Sequence, residues 1–212
     1  MYILPIEPII FPDPSLADED GLLAVGGDLS TERLMLAYRS GVFPWYNEGQ
    51  PILWWSPPER CVIRPEKIHV SHSMQKFMRR HKVEISKNRD FAHTMHRCGE
   101  KRADKEGTWI IPEMEEAYLR LHRLGYATSV EALIDGEPAG GLYGVNNGKV
   151  FCGESMYSDL ENGSKVALIL FVRELEAEGY ELIDCQFHTD HLVSMGAEMI
   201  SRREYLSYLS HT

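Results

Sequence analysis

Three strand-like stretches joined by tight turns, then a long apolar helix, then a short apolar strand, occupy residues 127–187 and restrict the fold more than any other part of the chain. ATSVEALID runs into a turn at Gly136, EPAGGLYGV into a second at Asn146-Asn147-Gly148, and KVFCGESM completes an antiparallel meander with good hairpin chemistry. GSKVALILFVRELEAEG is the strongest helix signal in the chain and ends at Gly179. ELIDCQF reads as a buried strand and HTDHLVSMG as a short helix, with a further strand beyond. This order predicts an α+β fold with an acyltransferase-like layer.

Upstream the texture differs. Residues 1–60 are rich in Pro, Gly and Trp. FPDPSLADEDGLLAVGGDLS predicts an irregular extended segment that turns at Gly26-Gly27. A helix is expected over about 31–40, capped by Ser30 and ended by Gly41. The following GVFPWYNEGQPILWWSPPER is not helix material, because its prolines and paired tryptophans sit beside turns. From 61 on, CVIRPEKIHV predicts a strand and HSMQKFMRRH a helix capped by Ser71, with Met74, Phe77 and Met78 inward. NRDFAHTMHRCGE and PEMEEAYLRLHRLG predict two more helices, the second opened by Pro112.

Hydrophobic residues at 43% and charged residues at 25% are ordinary for a globular chain, which excludes a disordered or collagenous one. The chain has no run of about 18 apolar residues and no basic, signal-like start, so no membrane span and a cytoplasmic location are expected. Cys61, Cys98, Cys152 and Cys185 are widely spaced, without a CxxC pair, and are expected as reduced thiols. Charge is uneven. The net value is −10, yet residues 60–105 carry 13 Lys and Arg against five acids, a local +8 that leaves −18 elsewhere. That zone suits a polyanion, and it equally suits a solvated surface of mixed charge.

Neither GxxxxGK[ST] nor GxGxxG occurs, which argues against the usual nucleotide-phosphate loops. His69/His72, His93/His96 with Cys98, and His188/Asp190/His191 lack a convincing third metal ligand, so no metal is expected. The remaining signal is polar groups within apolar strands. Glu154 follows FCG, and Asp184 and Gln186 lie two apart in LIDCQF, with side chains on one face. Ionised groups in such strands need a partner or a task, and a buried hydrogen-bond network without catalysis fits as well as an active site.

GLLAVGGDLS, AYRSGVFPWY, ILWWSPPER, EGTWI, GGLYGV, FCGESMYS, GSKVAL and IDCQFHTDH follow one another between about residues 11 and 209. In this order they resemble the leucyl/phenylalanyl-tRNA–protein transferase family. The combination of FCGESMYS with DCQ, after FPW and WWSP, is the most specific part. The resemblance implies a small N-terminal domain over 1–60 and a C-terminal acetyltransferase-like (GNAT) domain over 61–212. It implies transfer of Leu or Phe, and less readily Met, from aminoacyl-tRNA to the N-terminal α-amine of proteins beginning with Arg or Lys. This marks them for degradation in the bacterial N-degron (N-end-rule) pathway. No cofactor and no metal are implied, because the donor ester is already activated, and a cytoplasmic monomer away from membranes is expected.

By the same resemblance Asp184, Gln186 and Glu154 form the catalytic group, the glutamine taking the amine proton with the aspartate's help. A neutral carboxamide is a very weak base, so Gln186 is expected instead to accept a hydrogen bond from the amine, with Asp184 orienting Gln186 and attracting the cationic acceptor, and the proton leaving through water or a ribose hydroxyl. Leu142, Met156, Leu168 and Phe171 wall the aminoacyl pocket. Trp45, Trp109 and Tyr38 meet the terminal adenosine, while Trp54 and Trp55 pack between domains. On charge alone, Lys76, Arg79, Arg80 and Lys82 are expected at tRNA phosphates, although KFMRRHKVEISKNRD is locally distinctive. Competing readings are a coenzyme A-dependent N-acetyltransferase, a tRNA-dependent peptidoglycan-precursor ligase and a non-catalytic tRNA-binding module.

Overall fold

The computed structural model describes residues 1–103 and 109–210. Asp104 and Lys105 of the basic zone, and the Glu106–Thr108 part of EGTWI, lie outside them. The chain starts with β1 (Tyr2–Leu4) and β2 (Leu22–Gly26), then α1 (Thr31–Arg39), β3 (Phe43–Pro44) and β4 (Leu53–Trp55). These strands form a small sheet in the order β1-β2-β4-β3. Ser30 caps α1 by accepting from the Arg33 N–H, and Gly41 ends it at φ 73°.

The larger part comprises β5 (Glu59–Ile63), α2 (His72–Arg80), β6 (Val83–Lys87), α3 (Phe91–Ala103) and α4 (Pro112–Arg123). There follow β7 (Ala127–Ile134), β8 (Glu137–Asn147), β9 (Val150–Ser158), α5 (Gly163–Ala177), β10 (Leu182–Gln186), α6 (Asp190–Ser194), β11 (Glu198–Ser201) and α7 (Arg202–Leu209). Its sheet runs β11-β5-β10-β9-β8-β7-β6, and only the β9–β10 pair is parallel. An antiparallel meander, a crossover helix and a parallel return strand make this α+β layer acetyltransferase-like, as the sequence predicts. The Asp135-Gly136 turn has both residues at positive φ, which matches the twist of the hairpin it closes.

The sheet carries a core on each face. On one, α2 and α5 pack Met74, Val166, Ile169 and Phe171 against Ile63, Val130 and Phe151. On the other, α3, α4 and the small N-terminal unit share a single core, in which Leu34, Tyr38 and Trp54 join Tyr118, Tyr143 and Val145. Among the described residues no helix is long and apolar enough to cross a membrane.

Several expectations are corrected. The segment read as irregular contains β2, because apolar Leu23 and Ala24 bury fully against the shared core. KVEIS, given no element from sequence, is the edge strand β6 paired with β7. The strand predicted for CVIRPEKIHV stops at Ile63, and Pro65 starts a 3-10 turn, since proline has no N–H for a ladder. Trp54 lies fully buried in the core that the small N-terminal unit shares with α3 and α4. It stacks edge-on with Phe11 at 4.9 Å and donates its indole N–H to the Gly26 carbonyl at 2.8 Å.

Candidate active site

β9 and β10 pair only through Val150–Cys152 and Leu182–Asp184. Beyond that point β9 continues to Ser158 while β10 ends at Gln186, so the two strands part and leave a notch. Each rim is distorted. On β9, Tyr143 pairs with Ser155 and Gly144 with Gly153, so Glu154 is the extra residue of a bulge. On β10, the pairing with β5 jumps from Asp184–Val62 to Gln186–Cys61, leaving Cys185 as the extra residue. Gln186 takes φ 56°, a left-handed conformation that costs a non-glycine residue about 1–3 kcal/mol.

The two distortions bring the three predicted residues together. Gln186 donates its main-chain N–H to Asp184 Oδ1 at 2.9 Å and its side-chain amide N–H to Glu154 Oε1 at 3.4 Å. Asp184 is fully buried and clamped by Arg60, whose Nε and Nη2 donate to Oδ1 and Oδ2 at 2.9 Å each. The Tyr205 hydroxyl donates to Oδ2 at 2.8 Å. Four donors fill the roughly four lone-pair sites of the carboxylate. Burial works against the Arg60 charge, but Asp184 more than offsets it and holds the guanidinium above its ordinary value. Asp184 therefore presents no free charge to a cationic acceptor, a correction to the sequence expectation.

Glu154 is held differently. Tyr38 lies 2.7 Å from Oε1 and Tyr118 3.3 Å from Oε2, and the two hydroxyls also share a short hydrogen bond, so two phenol protons serve these three contacts. Burial pushes the Glu154 carboxyl up to about 7, opposed by the Tyr38 hydrogen bond. Arg60, Tyr118 and Tyr205 also belong to this network, and the sequence reading did not assign them there. Arg60 was counted in the basic zone. Nothing local distinguishes it from its neighbours, because its partner lies 124 positions away.

The other predicted residues divide. Trp45 is 42% exposed and stands beside Phe187 (5.2 Å) and Trp55 (5.7 Å), so Trp55, itself packed against the shared core, joins this aromatic rim. Trp109 is buried edge-on to Tyr118 at 6.5 Å. Tyr38 is 1% exposed, so its ring offers no face to a base and its hydroxyl serves Glu154. Leu142, Leu168 and Phe171 lie within the α5-side core, and only Met156, cross-strand from Leu142, is half-buried.

Most of the basic zone is spent internally. Arg64 pairs with Glu198 and Glu204, Lys87 with Glu174 and Glu178, Arg97 and Lys101 with Asp159, and Lys82 with Glu84. Among the described residues Lys76, Arg79 and Arg80 have no such partner and are exposed on α2. That helix lies on the α5 side of the sheet, across from Trp45. Among the described residues no three His, Cys, Asp or Glu side chains gather as a metal site would require.

The parting strands β9 and β10 bring a carboxylate and a carboxamide into hydrogen-bond contact, an arrangement able to orient a nucleophile and move a proton, which is the equipment of a group-transfer enzyme. The sequence pattern described as leucyl/phenylalanyl-tRNA protein transferase matches residues 62–210, and the pattern of that protein's N-terminal domain matches residues 27–58. A leucyl/phenylalanyl-tRNA–protein transferase of Desulfatibacillum aliphaticivorans is 53% identical over 97% of this chain and 89% of its own. One of Syntrophobacter fumaroxidans is 54% identical over 96% and 88%. The chain belongs to the leucyl/phenylalanyl-tRNA–protein transferase family and is a transferase. Similar solved structures include a GCN5-related N-acetyltransferase from Kribbella flavida, at a TM-score of 0.42 and 11% identity over 76% of this chain and 57% of that one.

Proposed function

We propose that this enzyme moves Leu or Phe, and less readily Met, from aminoacyl-tRNA to the N-terminal α-amine of proteins that begin with Arg or Lys. The product is marked for N-degron degradation. The observation that carries this reading is the continuous hydrogen-bonded group of Glu154, Gln186 and Asp184 at the notch, in a chain of this family. The reaction is aminolysis of an ester: the amine attacks the carbonyl, a tetrahedral oxyanion forms, and the ribose oxygen leaves. Because the ester is activated beforehand, the protein supplies alignment and proton transfer, and the reading includes no cofactor and no metal. The work is that of a cytoplasmic monomer.

Gln186 orients the amine. Its carboxamide N–H₂ faces Glu154, since a carboxylate only accepts, which leaves the carboxamide oxygen for an amine hydrogen. The exposed face of Trp45 suits the terminal adenine, where base stacking is worth about 1–3 kcal/mol. Met156 supplies a flexible, polarizable wall that adapts to Leu, Phe or Met side chains. The test mixes radiolabelled Leu-tRNA or Phe-tRNA with a protein bearing N-terminal Arg. Label should appear on that protein, and not on the same protein with its α-amine acetylated. Labelling regardless of a free α-amine, or acetyl transfer from coenzyme A in its place, overturns the reading.

The unpaired cations of α2 suit the phosphates of the tRNA stem. Replacing Arg79 and Arg80 with Ala should raise KM for aminoacyl-tRNA and flatten the dependence of log KM on log salt, by a slope of about 0.7–0.9 per lost phosphate contact. An unchanged slope places the tRNA elsewhere on the surface.

A further inference from the structure

Two carboxylates lie at the notch, and they differ in what their oxygens can still accept. Asp184 takes four donors, from Arg60 twice, Tyr205 and Gln186. Glu154 meets the Tyr38 hydroxyl and the Gln186 amide at Oε1 and only the Tyr118 hydroxyl, at 3.3 Å, at Oε2; the two phenols have two protons for these contacts and their own mutual hydrogen bond, so at least one site on Oε2 is left for a further donor. The bulge removes Glu154 from the β8–β9 pairing. It also sets the carboxylate beside the amide that orients the amine.

Resting on the function proposed above, we propose that Glu154 is the proton acceptor for the attacking α-ammonium, and that the Arg60–Asp184 pair is a positioning strut for Gln186. The groups facing Glu154 support this assignment. Tyr38 from α1 and Tyr118 from α4 are phenols held well above their usual range, mainly by burial. Cys152, on the same strand, is a thiol pushed up by burial and by the nearby carboxylates. Arg60 stays charged, Asp184 has no free lone pair, and the Gln186 amide does not titrate. Glu154 alone both accepts and releases a proton near neutral pH, since burial brings it up to about 7. An N-terminal ammonium titrates at about 7.7–8, so transfer to Glu154 is uphill by roughly tenfold, against more than a thousandfold for an ordinary glutamate near 4.3.

The protons balance. The Glu154 carboxylate takes one proton from R–NH₃⁺, and the free amine bonds to the ester carbon, giving an oxyanion and an N⁺H₂ group. As the carbonyl re-forms and the C–O bond to ribose breaks, protonated Glu154 returns its proton to the leaving ribose oxygen. The nascent amide N⁺H₂ then loses a proton to the carboxylate or to water, so the net reaction releases one proton.

The test compares steady-state transfer across pH 6–9 by wild type, Glu154→Gln and Tyr38→Phe. Wild-type rate should rise with pH through about 7 and then level. Glu154→Gln should lose about 10²–10⁴-fold in kcat, with KM for aminoacyl-tRNA within threefold. Tyr38→Phe removes a hydrogen bond that lowers the Glu154 value, so its inflection should move to higher pH. An inflection unmoved in Tyr38→Phe belongs to the substrate amine and overturns the assignment. So does a Glu154→Gln rate within threefold of wild type, and that result leaves the proposed function standing. A wild-type enzyme that transfers no label overturns both.

Discussion

Asp184→Ala should unfold at much lower urea than wild type, by the equivalent of about 3–5 kcal/mol. The reason is what the substitution leaves behind. The Arg60 guanidinium is 2% exposed and loses both charge-assisted hydrogen bonds, keeping only a 3.3 Å contact with the Gly41 carbonyl. Phe43 and Tyr205 stack on it at 4.6 and 4.4 Å, which shields the cation without neutralising it. The Tyr205 hydroxyl and the Gln186 N–H lose their acceptor as well. Removing both charges is expected to be milder than removing one. Asp184→Leu combined with Arg60→Met should recover much of the lost stability, because two apolar groups leave no ion stranded. A loss below about 1 kcal/mol in Asp184→Ala would show that water reaches Arg60. One practical consequence is that inactivity of Asp184→Ala, taken alone, says nothing about chemistry at that carboxylate.

Gly163→Ala should be nearly as damaging, for a steric reason. A Cβ at Gly163 would stand 1.9 Å from the Ala139 carbonyl oxygen and 2.5 Å from its carbon, both main-chain atoms. That carbonyl already accepts from the Asp159 and Leu160 N–H groups at 2.9 and 3.0 Å, so β8 cannot yield without releasing the turn that leads into α5. Forced overpacking costs about 1–3 kcal/mol or more, and at this chain length each kcal/mol lowers Tm by about 2–4 °C. Gly99→Ala is the control. It lies inside α3 with neighbours at 3.5–3.8 Å, so the new methyl fits and helix propensity should raise Tm slightly. Equal Tm changes in both variants would refute the close approach of α5 to β8.

Much of the architecture was legible locally. Ser30, Ser71 and Pro112 start the helices α1, α2 and α4, and Asp135-Gly136 turns the β7–β8 hairpin, because caps and turns act over a few residues. β6 escaped notice because Glu84 and Lys87 give VEISK the look of a surface loop until β7 pairs with it. At the site, FCGES and DCQ mark Glu154, Asp184 and Gln186 as polar groups in apolar strands. What was illegible is how they meet: two bulges and a left-handed Gln186, a residue type with no preference for that conformation. The donors to Glu154 and Asp184 come from four other elements, and no spacing in the chain links them.

Tyr38 belongs to the small N-terminal unit, yet its hydroxyl ends on a carboxylate of the large sheet. The first third of the chain thereby helps decide how acidic Glu154 is. A chimaera carrying a relative's N-terminal unit would retune its working pH wherever the graft repositions that one phenol, even with every residue of the notch unaltered.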